Sequence, residues 1–589
     1  MRATFIGGFA AAVTLILGLV ACSATVIDNP NLSTADQEVR EQKIVTPQLV
    51  LETDKSKRPQ VGIHKGPHPR VAADTMHRAK IAYASGFAGA PPYQDYGREN
   101  YQAFEDHGIK WVEKDPVSTF SIDVDSASYA NVRRSINEGF LPNRDAVRVE
   151  ELINYFSYQY PAPDKNKPFS IYQEVGPAPW DTDKTLLHVA VNSKDPEDQG
   201  ELPPANLVFL IDVSGSMQAP NKLHLLKRAM KMLVRQMRPE DTVGIAVYAG
   251  AAGEVLAPTS GAEQQKIMNA IDRLSAGGST NGAAGIHLAY QMAQGAFIKE
   301  GINRVMLATD GDFNVGTADV DGLEALVERK RKSGVALSVL GFGTGNLNDH
   351  MMQKIAQVGN GNAAYIDSMQ EARKVLVDEL GATINTVAKD VKIQIEFNPK
   401  VVESYRLIGY ETRHLNREDF NNDKVDAGEV GEGHTVTALY ELSLVGSANK
   451  LVDPLRYQEP EQASNPPGAD AELAFVKVRY KEPDAETSKL HSEAVRFGNL
   501  HKNLANTSTA YQFSAAVAWF GQSIRGNKFL DGEQFDAIVK LAKTAKGQDE
   551  HGYRSEFIQL VQTASVLAPE TLEQHYNMGQ IRPDLQSPR

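Results

Sequence analysis

The amino-acid sequence predicts an α/β fold: a doubly wound, mostly parallel β-sheet inserted in or flanked by a β-sandwich-like module, with helices at the C-terminal end. Three observations support this prediction. Between residues 205 and 385, short apolar runs alternate with amphipathic helical patterns, which is typical of a parallel sheet with crossover helices. On both sides of this region, strict apolar/polar alternation indicates half-buried strands. From residue 500 to 567, apolar residues recur at helical spacing.

The central region begins with a continuous apolar run at 206–211, which indicates a strand buried on both faces. Further strands are predicted at 241–248, 303–308 and 335–342. Helices are predicted at 223–237, 262–274, 283–297, 320–332, 347–358 and 370–383. Ligands of such sheets bind beyond the carboxyl ends of the strands, where the strand order reverses. We therefore expect a site near Ile211 and Ala308.

Alternating strands flank this region on both sides. They are predicted at 169–175 and 186–191 before it, and at 390–398, 434–444 and 473–480 after it. Because neither set alone has enough strands to be stable, we expect one β-sandwich into which the central domain is inserted. The domains predicted are a signal peptide at 1–21, a flexible tether at 22–116, an N-terminal module at 117–204, the central domain at 205–385, and C-terminal strands and helices at 386–589.

Composition excludes several classes of function. The net charge is −13, with 61 Lys and Arg against 74 Asp and Glu, and no basic stripe is present. We therefore expect no nucleic-acid partner. The chain has a single cysteine among 589 residues, which excludes internal disulfides, thiolate zinc sites, iron–sulfur clusters and dithiol redox chemistry.

That cysteine, Cys22, follows a charged start, an apolar run at 5–20 and Ala21, which together are typical of a secretory signal. The run is short for a membrane span of about 20 residues, which argues against an uncleaved anchor. Residues 19–22, Leu-Val-Ala-Cys, resemble the bacterial lipobox, and this resemblance implies lipidation of Cys22. Ser23 resembles the sorting signal for the outer membrane. We expect lipid anchoring to a bacterial membrane, at the outer membrane facing the periplasm; the alternative is a soluble secreted protein.

Oxygen-bearing side chains follow two of the predicted strands. Asp212, Ser214 and Ser216 come directly after the first strand, Asp310 follows the strand ending at 308, and Thr280 lies in a loop between them. We expect these five residues to converge at one edge of the sheet. Hard oxygen ligands with few carboxylates favour Mg²⁺, with Mn²⁺ or Ca²⁺ as alternatives. Two carboxylates balance a divalent cation and leave an open position, which an acidic residue of a partner could fill.

These residues match the Asp-x-Ser-x-Ser, Thr and Asp pattern of the metal-ion-dependent adhesion site, and the region resembles the von Willebrand factor type A domain. The resemblance implies that Ser214, Ser216 and Thr280 bind the metal, that Asp212 and Asp310 bind it directly or through water, and that a partner carboxylate completes the shell. Segments 119–134, 146–156, 433–441 and 476–481 resemble the flanking modules of bacterial von Willebrand factor type A lipoproteins of the YfbK-like type.

We therefore expect a lipid-anchored adhesion or scaffolding protein that binds an acidic protein ligand through the metal, and no enzyme. One alternative is a metal-assisted phosphatase or hydrolase that uses Asp123 and Asp125, since residues 122–126 are similar to the nucleophile motif of haloacid dehalogenase phosphatases. Otherwise one of these aspartates caps the helix that begins near Ser126. Another alternative is an envelope-structural protein in which the metal only stabilises the fold.

Overall fold

The computed structural model describes residues 99–580, apart from gaps at 165–166, 195–201, 279–281, 312–319, 448–467, 469, 484, 528 and 531–533. The predicted signal peptide, Cys22 and Thr280 lie outside the described residues. Across the described part of the chain, no helix is both long enough and apolar enough to cross a bilayer.

Sixteen strands and twelve α-helices are seen in the described residues. The strands are β1 (Lys110–Trp111), β2 (Val117–Ser121), β3 (Phe169–Pro177), β4 (Thr185–Ser193), β5 (Ala205–Asp212), β6 (Thr242–Tyr248), β7 (Ala252–Ser260), β8 (Ile302–Thr309), β9 (Ala336–Phe342), β10 (Ala363–Ile366), β11 (Thr386–Phe397), β12 (Val402–Ile408), β13 (Gly428–Gly431), β14 (Thr435–Leu444), β15 (Glu472–Lys481) and β16 (Lys489–Arg496). The helices are α1 (Ala127–Asn137), α2 (Val149–Asn154), α3 (Leu223–Val234), α4 (Gln264–Arg273), α5 (Gly282–Gly295), α6 (Val320–Arg331), α7 (Asp349–Val358), α8 (Met369–Arg373), α9 (Leu380–Ile384), α10 (Thr509–Arg525), α11 (Phe535–Thr544) and α12 (Tyr553–Gln580).

The central sheet has the strand order β10-β9-β8-β5-β6-β7 and is parallel except for β7, which runs antiparallel to β6. All eight residues of β5 are buried. Helices cover both faces: Leu226 of α3 and Ile267 of α4 belong to one apolar cluster, and Ile286 of α5 and Met351 of α7 belong to the other. The predicted doubly wound, mostly parallel sheet is confirmed.

The flanking strands form two further sheets, ordered β1-β12-β14-β4-β3 and β13-β11-β15-β16, with β2 also paired to β11. Strands from before and after the central region pair directly, with Val189 of β4 opposite Ala438 of β14 and Phe120 of β2 opposite Ile393 of β11. The inward-facing residues of both sheets share one apolar core. One sandwich therefore contains both predicted sets of strands.

The chain leaves the sandwich for the central sheet and returns to it at one place. The Lys194 carbonyl oxygen accepts a hydrogen bond from the Gly433 N–H at 2.8 Å, and Thr386 is paired with Gly431. The exit and the return thus meet at the same short β13 hairpin. This proximity explains how a whole α/β domain is accommodated between two strands of a sandwich.

The C-terminal helices pack against α1 and α2 through aromatic side chains. The Phe156 ring lies 5.1 Å from the Phe513 ring, which lies 5.6 Å from the Phe557 ring. Burial of these rings in one apolar cluster accounts for the apolar residues at helical spacing in the sequence, and α10 is buried on all sides. The predicted C-terminal helices are confirmed.

Residues 99–116, which the sequence assigns to the flexible tether, pack on the folded body. Glu99 forms a bidentate ion pair with Arg134, whose two terminal nitrogens donate to Oε1 at 2.7 Å and to Oε2 at 2.8 Å. Phe104 lies 4.4 Å from the Arg525 guanidinium, and Trp111 in β1 pairs with Ser404. The tether prediction fails here because the contacts that hold this segment on the body, to Arg134, Ser404 and Arg525, come from residues far along the chain, where composition gives no signal. The other domain boundaries stay predictions.

Candidate metal-binding site

The two acidic residues of the predicted site emerge side by side from the central sheet. Strands β5 and β8 are parallel neighbours, and Ile211 of β5 lies opposite Ala308 of β8. In the sheet, β6 and β7 lie on the β5 side of this pair, and β9 and β10 lie on the β8 side. Asp212 and Asp310 therefore stand at the switch in strand order, where the sequence predicts the site.

The loop after β5 brings two serine hydroxyls together. The Ser214 N–H donates to Asp212 Oδ1 at 2.7 Å, which folds the loop back on the strand end. The Gly215 N–H donates to the Gly278 carbonyl oxygen at 3.1 Å, which ties this loop to the one leading towards residue 280. Ser214 Oγ and Ser216 Oγ then lie 2.9 Å apart, Ser214 buried and Ser216 exposed.

Asp212 is fully buried, and within the described residues its Oδ2 atom accepts no hydrogen bond of normal geometry, although the Tyr248 hydroxyl lies close enough to lower the Asp212 pKa. Burial raises the pKa of Asp212 to about 6; the nearby Asp310 carboxylate adds to the increase, while hydrogen bonds from Ser214 oppose it. At neutral pH the side chain is still mainly ionised. A buried carboxylate oxygen that lacks a well-formed hydrogen bond is costly unless a cation or a proton satisfies it.

Asp310 is also buried, but it has a cationic partner that the sequence analysis missed. Lys222 Nζ donates to Asp310 Oδ2 at 2.8 Å and to Asn346 Oδ1 at 3.2 Å. Burial alone would raise the pKa of Asp310, but the hydrogen bond and charge of Lys222 outweigh it, and the pKa is lowered. A lone lysine at a helix start is common on protein surfaces, so the sequence offers no signal that singles out Lys222.

The loop that carries Asn346 is held from outside the central domain. The Gly345 N–H donates to Glu99 Oε1 at 3.0 Å, and the Asn100 N–H donates to the Leu347 carbonyl oxygen at 2.9 Å. The first described residues of the chain therefore border the site. They stabilise the loop that positions the second partner of Lys222.

The donor set suits a small divalent cation. Two oxygens bound at right angles to Mg²⁺ at about 2.1 Å lie about 3 Å apart, close to the spacing of the two serine hydroxyls. The Asp212 carboxyl, held by the Ser214 N–H, belongs to the same loop end. Among the described residues, no group of three or more His, Cys, Asp or Glu side chains could hold a metal, so any ion here depends on the hydroxyls. Thr280 lies outside the described residues, and its role stays a prediction.

Asp123 and Asp125, the residues of the hydrolase alternative, form a buried ion-pair cluster. Arg413 donates to Asp123 Oδ2 at 2.8 Å and to Asp125 Oδ2 at 3.1 Å, and the Ala363 N–H donates to Asp125 Oδ1 at 2.9 Å. The preceding strand, β2, pairs antiparallel with β11, so these residues do not follow a strand of a parallel sheet. Neither aspartate caps α1, whose N-cap residue is Ser126 and has no side-chain cap.

Three family models match the chain in order. The model described as von Willebrand factor matches residues 95–188, the von Willebrand factor type A domain matches 206–378, and "Uncharacterized protein YfbK, C-terminal" matches 382–567. The Escherichia coli K12 protein described as "Uncharacterized protein YfbK" is 46% identical over 499 residues, which is 84% of either chain. The chain belongs to the YfbK family.

Relatives outside the YfbK family match less of the chain. A "UPF0353 protein" of Mycolicibacterium paratuberculosis is 30% identical over 196 residues, covering 29% of this chain and 58% of that protein. The solved structure of a von Willebrand factor type A protein from Catenulispora acidiphila is 13% identical, covers 65% of this chain and 89% of that one, and has a TM-score of 0.37.

Proposed function

We propose that this YfbK-family protein is a lipid-anchored envelope protein whose von Willebrand factor type A domain binds a protein ligand through a divalent cation. The domain itself indicates a role in protein interaction or adhesion. Asp212, Ser214, Ser216, Thr280 and Asp310 would hold the ion, with Mg²⁺ preferred and Mn²⁺ or Ca²⁺ as alternatives. The partner presents an acidic residue, and nucleic acid is not a partner.

One observation carries the metal part of this proposal. At the carboxyl end of the central strand, two serine hydroxyls lie 2.9 Å apart beside a buried carboxylate oxygen that lacks a well-formed hydrogen bond among the described residues. A bound divalent ion would satisfy this oxygen and would bind a carboxylate from a partner in a defined direction. The residues of the chain bind and orient; we propose no chemical step and therefore no enzyme.

Direct metal titration tests the site. Isothermal titration of the mature chain with Mg²⁺ or Mn²⁺ should show one binding event, which Ser214→Ala weakens at least about tenfold, because a direct ligand is lost. Ser333→Ala is the matched control, since Ser333 is exposed and its hydroxyl makes only exposed contacts, donating to the Lys330 carbonyl oxygen and accepting from Gln294 Nε2. Equal affinity in the Ser214 variant and the wild type would contradict the proposal.

Crosslinking in the intact envelope tests the role of the ion. If the ion bridges to a ligand, the set of captured proteins should lose the same members after EDTA treatment and in the Ser214→Ala variant. The structural alternative expects a different result: metal raises the melting temperature, but EDTA leaves capture unchanged. A phosphatase assay on a generic ester with Asp123→Asn tests the hydrolase alternative, which requires activity that this substitution abolishes.

Membrane attachment rests on the lipobox resemblance around Cys22, and we propose the outer membrane facing the periplasm. Cys22→Ser should abolish incorporation of labelled palmitate and move the protein from the membrane to the soluble fraction. Multiple acyl chains give stable anchoring, so partial release is not expected. Unchanged fractionation and unlabelled wild-type protein would contradict lipidation at this residue.

A further inference from the structure

The charge of the site differs from the sequence expectation because of Lys222. We infer that Lys222 is a resident countercharge that occupies one oxygen of Asp310 and leaves the metal-loaded site positive, which makes the site selective for an acidic ligand. This inference rests on the proposed function, since it concerns the same site. It assigns a specificity-determining role to a residue outside the Asp-x-Ser-x-Ser, Thr and Asp pattern.

The contacts of Lys222 are those of a fixed charge rather than a surface lysine. Its side chain is only 8% exposed, and that of Asp310 is fully buried. The ammonium group donates to Asp310 at 2.8 Å and to the Asn346 side chain at 3.2 Å. Buried ion pairs with additional hydrogen bonds hold both partners in one geometry, because separating them would leave a charge unpaired in the interior.

The absence of a side chain at Gly343 leaves room for the Lys222 side chain. Gly343 has a φ of +77°, and a Cβ added there would overlap the Lys222 side chain. The aliphatic stem of Lys222, which directly precedes α3, therefore lies against the Gly343 backbone in the loop after β9, and its ammonium group reaches Asp310. Only a glycine combines this left-handed conformation with so close an approach.

The formal charges show what the lysine changes. In the pattern of five oxygen-bearing residues alone, two carboxylates balance one divalent ion and the loaded site is neutral. With Lys222 included, the three side chains carry one net negative charge without metal and one net positive charge with a divalent ion. Opposite and like charges interact strongly in partly buried sites, so the lysine should weaken metal binding and strengthen binding of an anion to the loaded site.

Glu99, one of the described carboxylates near this loop, does not cancel that charge. It accepts the Gly345 N–H at 3.0 Å, but Arg134 binds both of its oxygens at 2.7 and 2.8 Å. Arg134 therefore already neutralises Glu99. The net positive charge of the loaded site is left for the incoming ligand to neutralise.

The test separates metal affinity from anion affinity. Lys222→Gln removes the charge but keeps a hydrogen-bond donor for Asp310, and Lys222→Arg keeps the charge. Lys231→Met is the control, because Lys231 lies on the same helix, pairs with Asp272 and is away from the site. Mn²⁺ affinity is measured by calorimetry, and acetate binding to the Mn²⁺-loaded protein is measured by water-proton relaxation.

We expect Lys222→Gln to bind Mn²⁺ about tenfold more tightly than the wild type and to bind acetate at least about threefold more weakly. Lys222→Arg, which keeps the charge, should lie closer to the wild type than Lys222→Gln in both measurements, and Lys231→Met should match the wild type. Lys222→Met, which has no donor, provides a second test if the glutamine variant does not fold: without metal it should melt at a lower temperature, and Mn²⁺ should raise that temperature more than in the wild type.

Three results would overturn the inference. Mn²⁺ affinity in Lys222→Gln equal to or weaker than that of the wild type would show that the lysine only orders Asp310. Unchanged acetate affinity would show that its charge does not reach the ligand position. If the wild type did not bind Mn²⁺ and could not be distinguished from Ser214→Ala, both this inference and the proposed function would be wrong. If the wild type bound Mn²⁺ and Lys222→Gln bound Mn²⁺ and acetate as the wild type does, only this inference would be wrong.

Discussion

At the residue scale, four of the five predicted metal ligands are described, and they meet at one edge of the sheet. Residue type and position after a strand were enough to predict that Asp212, Ser214, Ser216 and Asp310 lie together, because parallel strands bring their carboxyl ends to one edge; that they bind a metal stays a prediction. Lys222 could not be predicted in this way. Its position beside Asp310 depends on the loop after β9, which is more than one hundred residues away along the chain.

Glu150 in α2 is a second residue whose environment the sequence does not reveal. It is fully buried, and within the described part of the chain no cation pairs with its carboxylate. Burial raises the pKa of Glu150 to about 8, with Glu411, Asp123 and Glu151 adding to the increase and the Tyr410 backbone amide opposing it. The folded protein therefore keeps this carboxyl protonated at neutral pH.

We predict that the stability of Glu150→Gln relative to the wild type increases as the pH rises. Between the ordinary pKa of 4.5 and the folded value of about 8, the folded protein holds a proton that the unfolded chain releases. Wild-type stability should therefore fall with rising pH over this range, by up to about 1.4 kcal/mol per pH unit. The advantage of the variant should grow up to about pH 8 and then level off.

Urea denaturation at a series of pH values measures this effect. Glu396→Gln is the control, since Glu396 is about half exposed and pairs with Lys477 at 3.0 Å on the surface of the sandwich. If the stability difference between Glu150→Gln and the wild type did not change with pH, the assigned protonation state would be wrong.

At the element scale, the sequence pattern located most of the strands and helices but missed several strands, β7, β10, β12 and β16 among them. Three of these, β7, β10 and β16, are edge strands. In addition, β10 has only four residues, Ala-Ala-Tyr-Ile, and β16 is largely exposed or half-buried. The predicted helix at 370–383 is also interrupted, by a π-helical turn at Lys374–Asp378 between α8 and α9. Apolar periodicity does not reveal edges or an extra residue in a turn.

Helix α1 is joined to the central domain by one buried arginine. Arg133 contacts Asp367 after β10, donates to Glu371 of α8 at 2.7 Å and to Glu556 of α12 at 3.0 Å, and is 1% exposed. Tyr155 also accepts from it at 3.0 Å. A single guanidinium thus links three separate parts of the chain.

We predict that Arg133→Met destabilises the protein by about 3–5 kcal/mol, because it leaves several buried carboxylates without a cation. Arg144→Met is the matched control. The Arg144 side chain is 51% exposed and pairs with Asp106 at 2.8 Å, so its loss should cost no more than about 1 kcal/mol. Equilibrium denaturation of both variants measures the difference; similar losses in the two would show that the Arg133 cluster contributes little.

At the scale of the whole molecule, the central domain and the sandwich share a buried polar interface. Arg148 at the start of α2 donates to Asp349 of α7 at 2.6 Å, and Asp125 accepts the Ala363 N–H at 2.9 Å. The insertion point is closed by the pairing of Thr386 with Gly431. Separating the domains would therefore expose unpaired charges on both.

We predict that the chain unfolds in a single cooperative transition and that divalent metal shifts this whole transition upward. Ligand binding to the folded state stabilises by RT ln(1 + [L]/Kd), and a shared interface transmits this gain to both domains. Scanning calorimetry with and without Mg²⁺ measures it. Two resolved transitions, of which only one responds to Mg²⁺, would show that the interface does not couple the domains.

The sequence alone determined the class of the central domain, the strands of the sandwich and the candidate oxygen ligands. These properties depend on local periodicity and on residues that follow strand ends. Only the tertiary structure decided that strands from both ends of the chain pair in the same sheets, that residues 99–116 pack on the body, and that Lys222 lies on Asp310. Each of these depends on contacts between distant segments of the chain. Burial and charge pairing favour these contacts as the chain folds, and no local sequence pattern indicates them.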